Sequence, residues 1–316
     1  MHLSNRVLFG LAAGTLAGAS AAIFTRYAQA EGMPSLLIAA FRLTLSTILL
    51  TPFVFRNYRH EVADLLTPAR RSDLRWAMLA GALLAVHFIA WISSLEYASV
   101  LIATVLVTSS PIWTGLIETL FFKVRLTRWV ILGVATTLVG NVVLTLAGGG
   151  SGGGPNMLLG GALALFAAIT VAVHRTVSRP LRMKMSLLPF MWVIYSSSSL
   201  VLIGLVIVTG TPVVGFPLAG YFWAGMLTIF PHLIGHTAYN YVLRFMPATF
   251  VSLAIQIQPI FSTIAALLLF GEQPVIGQII GSIIIMAGVF GAITAQMREG
   301  EKARTSSTPP ETSEGG

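Results

Sequence analysis

The chain has 316 residues, of which 55% are hydrophobic and 9% charged, with a mean hydropathy of +0.84. A water-soluble domain carries roughly 25% charged residues, so the composition excludes one and calls for a chain that lives in lipid. The net charge is +8 and there is no cysteine, which excludes disulfides and thiolate metal sites.

Ten apolar segments follow one another, each long enough to cross a hydrocarbon core of roughly 30 Å. They are predicted at 7–27, 34–55, 74–95, 98–120, 128–147, 157–177, 186–208, 219–242, 246–270 and 274–296. The first is followed by no convincing cleavage site and by nine more, so it reads as a span rather than a signal peptide. It carries Gly10, Gly14 and Gly18, a small-residue stripe that suits close helix packing inside the protein or a dimer face. Span 2 follows Pro34 and holds Arg42, the sole basic residue well inside the hydrocarbon, roughly 12 Å from the outer end. Charges at that depth face a cavity or a partner. Arg42 is expected either to hold a substrate carboxylate or to brace backbone carbonyls, or to pair with Glu31 or Glu96 at the rim.

The loop 56–73 mixes basic and acidic residues with Val62, Leu65 and Leu66, which suits a short helix on the membrane interface. Span 3 places His87 and Trp91 on one face, being four residues apart. Span 4 carries Pro111 in Thr108-Ser109-Ser110-Pro111, with Trp113 beside it, and Glu118 near its inner end. Residues 148–156, rich in glycine, form a flexible linker between two halves. Span 7 holds Trp192, and span 8 holds Pro231, His232, His236 and Tyr239, the two histidines sharing a face. Span 9 carries Pro259 after Gln256 and Gln258, and span 10 repeats the small-residue stripe at Gly277 and Gly281. From 298 onward the composition offers no apolar face, and a disordered tail over 298–316 is expected.

The charges sort by loop. With the N-terminus inside, 17 of the 19 Lys and Arg residues fall on inner segments, including Arg175, Arg179, Arg182 and Lys184 around the inner end of span 6. The positive-inside rule therefore puts both termini in the cytoplasm. The positive charge reads as an anchor to the inner leaflet rather than a nucleic-acid surface.

The chain also matches itself at a shift of 148 to 151 residues. Gly10, Ala13, Ala21 and Thr25 recur as Gly161, Ala164, Ala172 and Thr176; Leu95, Pro111, Phe122, Gly133 and Gly140 recur as Leu243, Pro259, Phe270, Gly281 and Gly288. Each half holds five spans, and an odd number turns the second copy upside down. Inverted repeats place a binding site at their interface near the midplane. The predicted architecture is an all-α integral membrane protein: a five-helix repeat over 1–147, its inverted copy over 157–297, and the tail.

Three local patterns accompany the repeat: Pro34-Ser35-Leu36-Leu37-Ile38-Ala39-Ala40-Phe41-Arg42 in span 2, a central proline after a polar stretch in spans 4 and 9, and Leu269-Phe270-Gly271-Glu272 closing span 9. With them, residues 7–297 resemble the drug/metabolite transporter superfamily, specifically its EamA-type members. The first half departs from this pattern at Lys123-Val124, where the acidic residue is missing. The resemblance implies export of small metabolites, with the YddG-type exporters of aromatic and neutral amino acids as one branch.

Three imidazoles at similar depth, His87, His232 and His236, suit cavity lining, structural hydrogen bonding or a metal; tight metal sites usually add carboxylates or thiolates, and none lies at that depth. Trp91, Trp113 and Tyr239 suit either a flat or apolar substrate or plain packing, whereas Trp76, Trp129 and Trp223 read as an interface belt. Pro111 and Pro259 are expected to kink their helices as paired gates. The expected substrate-binding set is Arg42, His87, Trp91, Trp113, His232, His236, Tyr239 and Gln256, with no metal and no cofactor. The partners expected are a small-molecule substrate and the lipid bilayer, no nucleic acid, and a monomer or homodimer. The expected activity is alternating-access export across the cytoplasmic membrane of amino acids, with drugs or other apolar metabolites as an alternative. From another class, a membrane-embedded metal-dependent enzyme using the histidines is the rival, and a channel-like or scaffolding protein is a third option.

Overall fold

The computed structural model describes residues 5–98, 103, 106–123, 126–147, 156–258, 260–261, 264 and 275–307, and no strand occurs among them. Pro259, Gly271-Glu272, most of the glycine linker and residues 308–316 lie outside the described residues. Span 1 is two helices, α1 (Asn5–Ala19) and α2 (Ala21–Ala30), meeting at Ser20. Then come α3 (Ser35–Asn57), the short α4 (Arg59–Leu65) and α5 (Arg71–Tyr97). Next are α6 (Ser110–Phe122), α7 (Arg128–Ala147), α8 (Met157–Lys184) and α9 (Leu187–Thr209). Span 8 is α10 (Leu218–Leu227), a π-helical segment (Thr228–His236) and α11 (Thr237–Val242). The last two are α12 (Ala248–Ile255) and α13 (Ile276–Ser307). Among the described residues, six helical segments are long and apolar enough to cross a membrane: Asn5–Ala30, Ser35–Asn57, Arg71–Tyr97, Met157–Lys184, Leu187–Thr209 and Leu218–Val242. Arg128–Val143 and Ile276–Ala292 are shorter apolar helices.

Burial is inverted relative to a soluble protein. Phe121 is 76% exposed and Leu158 and Val208 84%, while Ser46, Ser94, Thr114, Thr137, Ser198 and Thr228 are buried. Lipid tails solvate the apolar exterior, so helices associate through close packing and hydrogen bonds. The buried hydroxyls are accordingly bonded, many to the carbonyl one turn back, as with Ser46 to Arg42 and Thr114 to Ser110. One apolar core joins α3, α5 and α9 around Leu43, Leu84, Phe88 and Ile194. A second joins α1, α11 and α12 around Leu11, Val242 and Phe250.

The loops gather at two ends. At one, Glu61 accepts from the Ser186 amide at 2.7 Å, and Lys184 pairs with Asp73 at 3.1 Å. There too, both Glu118 oxygens receive the first amides of α12: Ala248 N–H at 2.8 Å and Thr249 N–H at 3.0 Å, with the Thr249 hydroxyl at 2.7 Å. At the other end, Ser35 donates to Glu96, and the Asn156 amide bonds the Tyr97 carbonyl. Lys123 closes α6 with φ +53°, a left-handed conformation that suits the glycine its repeat mate, Gly271, supplies.

The repeat is visible in contacts between mates. A Cβ placed on Gly133 would lie 2.7 Å from the Gly288 carbonyl, and one on Gly140 2.9 Å from that of Gly281. Exchanging each glycine for its mate converts the first contact into the second, as a two-fold axis between α7 and α13 demands. The same axis brings Phe88 against its mate His236, with ring centroids 5.0 Å apart, and joins Gln256 Nε2 to its mate's carbonyl at Thr108, 2.8 Å away. The stripe in span 1 also packs internally, since Cβ atoms on Gly14 and Gly18 would run into Tyr239 and Gln258.

Three expectations change. Arg175 is not on an inner loop: α8 runs unbroken through it to Lys184, and Arg175 is 9% exposed. Pro111 does not kink a continuous helix; span 4 is interrupted at Thr108–Ser109, and Pro111 occupies the first turn of α6, where its missing N–H is no loss. The final helix continues to Ser307, past the 298 boundary expected for the tail.

Candidate substrate-binding site

Arg42, on α3, is 1% exposed and lies among α5, α9 and span 8. Its guanidinium sits 3.9 Å from the centroid of the Phe88 ring, and Nη2 donates to His232 Nδ1 at 3.1 Å. Arginine has no acceptor, so His232 Nδ1 accepts and its proton is on Nε2. Arg42 Nε and Nη1 and His232 Nε2 are buried without a hydrogen-bond partner among the described residues. Arg42 pairs with neither acid proposed for it at the rim: Glu96 is engaged by Ser35, and neither Glu96 nor Glu31 forms an ion pair with it. A guanidinium carries five N–H donors in a planar fork that matches a carboxylate.

Around this fork the rings form a continuous array. His232 lies 4.2 Å from Tyr195 and 5.3 Å from His236, centroid to centroid, and both histidines meet the Phe88 edge or face at 5.4 and 5.0 Å. His236 leads to Tyr239 at 6.3 Å, whose hydroxyl accepts from Gln258 at 2.8 Å. Both histidines lie in the π-helical segment with Pro231 and Gly235. Such segments are rare, widen the helix and recur at functional sites. Pro231 cannot donate to an i−4 carbonyl, and Gly235 lets the widened turn rest on α1, a Cβ there being only 3.3 Å from the Gly14 carbonyl.

The other sequence-selected residues divide. Arg42, His232, His236 and Tyr239 come together. His87 turns away: its Nδ1 donates to the Ala167 carbonyl of α8 at 2.8 Å. His174, which sequence reasoning passed over, returns the bond from α8 to the Ala80 carbonyl of α5, also at 2.8 Å. The two stand seven residues from each other's acceptors on antiparallel helices, a reciprocal clamp whose signal was the matched spacing. Trp91 packs half-buried on the α3–α5–α9 core. Trp113 bonds Ser109 at 3.2 Å, and Gln256 bonds Thr108; both belong to the breaks in spans 4 and 9. Tyr195 and Phe88 are the ring neighbours that periodicity alone did not single out.

A separate groove of about 350 Å³ between α3 and α9 is lined by Leu37, Phe41, Ile48, Ile203 and other residues with almost no polar surface. It offers nothing to orient a polar ligand. Among the described residues, no group of three His, Cys, Asp or Glu stands where it could hold a metal.

An apolar exterior, two inverted halves and a polar seam with unpaired donors between them define a membrane transporter. The chain belongs to the EamA-like transporter family, whose model matches residues 5–146 and again 158–294. A protein of Bacillus subtilis (strain 168) described as an uncharacterized transporter, YdfC, is 23% identical over 293 residues, covering 91% of this chain and 89% of that one. A crystal structure at 20% identity superposes with a TM-score of 0.74, covering 92% of this chain and 98% of the other; at that identity the likeness speaks for the fold alone.

Proposed function

We propose that this protein exports small carboxylate-bearing metabolites, amino acids first among them, across the cytoplasmic membrane by alternating access. The observation that supports the reading most is the Arg42 guanidinium, buried on the Phe88 ring with Nε and Nη1 unpartnered. A buried cation without a counter-charge is costly in a membrane, and a carboxylate arriving from water would complete it. His232 Nε2–H supplies a further donor, and the faces of Phe88, Tyr195 and His236 suit an apolar or aromatic side chain. The distribution of basic residues supports cytoplasmic termini. The interrupted spans 4 and 9 and the π-helical segment provide backbone that bends without a new unsatisfied group, as alternating access needs.

The test is counterflow of labelled amino acids in liposomes. The purified wild type is expected to exchange them, and Arg42→Gln to lose about 3 kcal/mol of carboxylate binding, a factor of about 100. Exchange of apolar drugs with indifference to carboxylates would favour the drug-exporter alternative instead.

A further inference from the structure

We propose that Arg175, with the Ser110 and Ser252 hydroxyls and the N-terminal end of α6, forms a second anion-binding point, so that the preferred substrates carry two acidic groups. This rests on the transporter reading above and narrows its substrate class.

Arg175 lies nine residues before the end of α8, about 13 Å along the helix axis, which sets it inside the span on the inner side of the midplane, as Arg42 is on the outer side. Its Nη1 donates to Ser252 Oγ at 3.1 Å and Ser110 Oγ at 3.3 Å. Both of these bonds run through Nη1 to hydroxyls, with no carbonyl among the acceptors. Arg182 on the same helix shows what a structural buried arginine looks like here: Nε bonds the Asn240 carbonyl, Nη1 bonds that of Met185, and the guanidinium lies 5.4 Å from the Phe190 ring centroid. Arg175 has no such carbonyl and no aromatic face.

Nor does it have a counter-charge. The ion pairs among the described residues both involve Asp73 at one end of the bundle. Glu118 is the buried carboxylate, and both of its oxygens are occupied by α12. Meanwhile the break at Thr108–Ser109 starts α6 at Ser110, beside Arg175, so the positive end of a half-helix adds to the guanidinium. Discontinuous helices in transporters present such ends to anionic substrate groups. Arg42 lies on the Phe88 ring of α5, and His87 and His174 tie α5 to α8, which carries Arg175, so the helices that carry the two cations both adjoin α5 in one interior.

A neutral amino acid would satisfy one guanidinium with its carboxylate and bring an ammonium toward the other, with no acid to receive it. A dicarboxylate, or an acidic amino acid with its second carboxylate, satisfies both. The preference therefore moves away from the neutral and aromatic side chains that the family resemblance implies.

The experiment is counterflow with the full chain in liposomes, comparing succinate and glutamate with leucine and phenylalanine at equal concentration. The acidic substrates are expected to exchange about tenfold faster, with Arg175→Gln removing most of that advantage while leaving the neutral amino acids within about threefold. Arg175→Lys should retain part of it. Neutral amino acids exchanging as fast as acidic ones in the wild type, or Arg175→Gln lowering both alike, would overturn the second anion point and leave the transporter reading standing. Failure of every carboxylate to exchange would overturn both. If Arg175→Gln does not fold, the wild-type ranking alone decides.

Discussion

Two interfaces between the repeats are related to each other by the repeat and are held by different means. In the first, α5 and α8 are tied by His87 to the Ala167 carbonyl and His174 to the Ala80 carbonyl, each at 2.8 Å. The repeat carries His87 onto Gly235 and His174 onto Ile23, so the second interface, between span 8 and α1, has neither imidazole. There the π-helical segment rests on the glycines of α1, close enough that Gly235 lacks room for an unhindered Cβ. The first joint is fixed by directional bonds from side chain to carbonyl; the second is close packing of the α1 glycines against Gly235, Ala238 and Tyr239. A transporter needs both kinds of joint, one to tie the two halves together and one to let helices slide. On the alternating-access reading proposed above, the moving surface is that of α1 and span 8, which also carries His232 and His236.

The comparison breaks most easily at the clamp. His87→Leu combined with His174→Leu removes both cross-helix bonds while the two carbonyls keep their partners within α5 and α8, so at up to about 1.5 kcal/mol per bond thermal unfolding in detergent should show a loss of up to about 3 kcal/mol. Glu118→Gln comes next. It weakens the tie between α6 and the first amides of α12, and about 2 kcal/mol should be lost, hydrogen bonds to a charged group being worth about that much. The smallest stability change is expected at the sliding joint. Gly235→Ala puts a methyl 3.3 Å from the Gly14 carbonyl, which a shift of a few tenths of an ångström accommodates, so stability should move by less than about 1 kcal/mol. Exchange in liposomes should nevertheless slow several-fold, because the contact that slides is now notched. A Gly235→Ala protein as unstable as the double histidine variant would erase the distinction between the two joints.

Much of this arrangement could be read from the chain. Hydropathy located the helices because unbroken apolar lengths of that kind cross lipid as helices, and the 148-residue shift paired span 3 with span 8 and span 4 with span 9. Arg42 stood out as a charge in the wrong solvent. Arg175 did not, because a span drawn to end at 177 makes it look like one more inner-loop cation; α8 instead continues through Pro180 to Lys184. The direction of His87 was hidden because helical periodicity gives a face but not which neighbour that face meets. Pro111 was read as a kink because its local effect is known, whereas the interruption two residues earlier depends on Gln256 reaching across to the Thr108 carbonyl. The π-helical segment has Pro231 and Gly235 as local hints, but its extra width is set by packing on α1, a tertiary cause.

The assignment of motion is tested most directly by amide hydrogen exchange on the full chain in lipid nanodiscs, which reports local opening. Amides of Thr228–His236 and of α1 around Gly14 should exchange about 100-fold faster than those around Ala80–His87 and Ala167–His174, a difference of about 2.7 kcal/mol in local stability. Equal protection on both joints, or faster exchange at the histidine clamp, would contradict it.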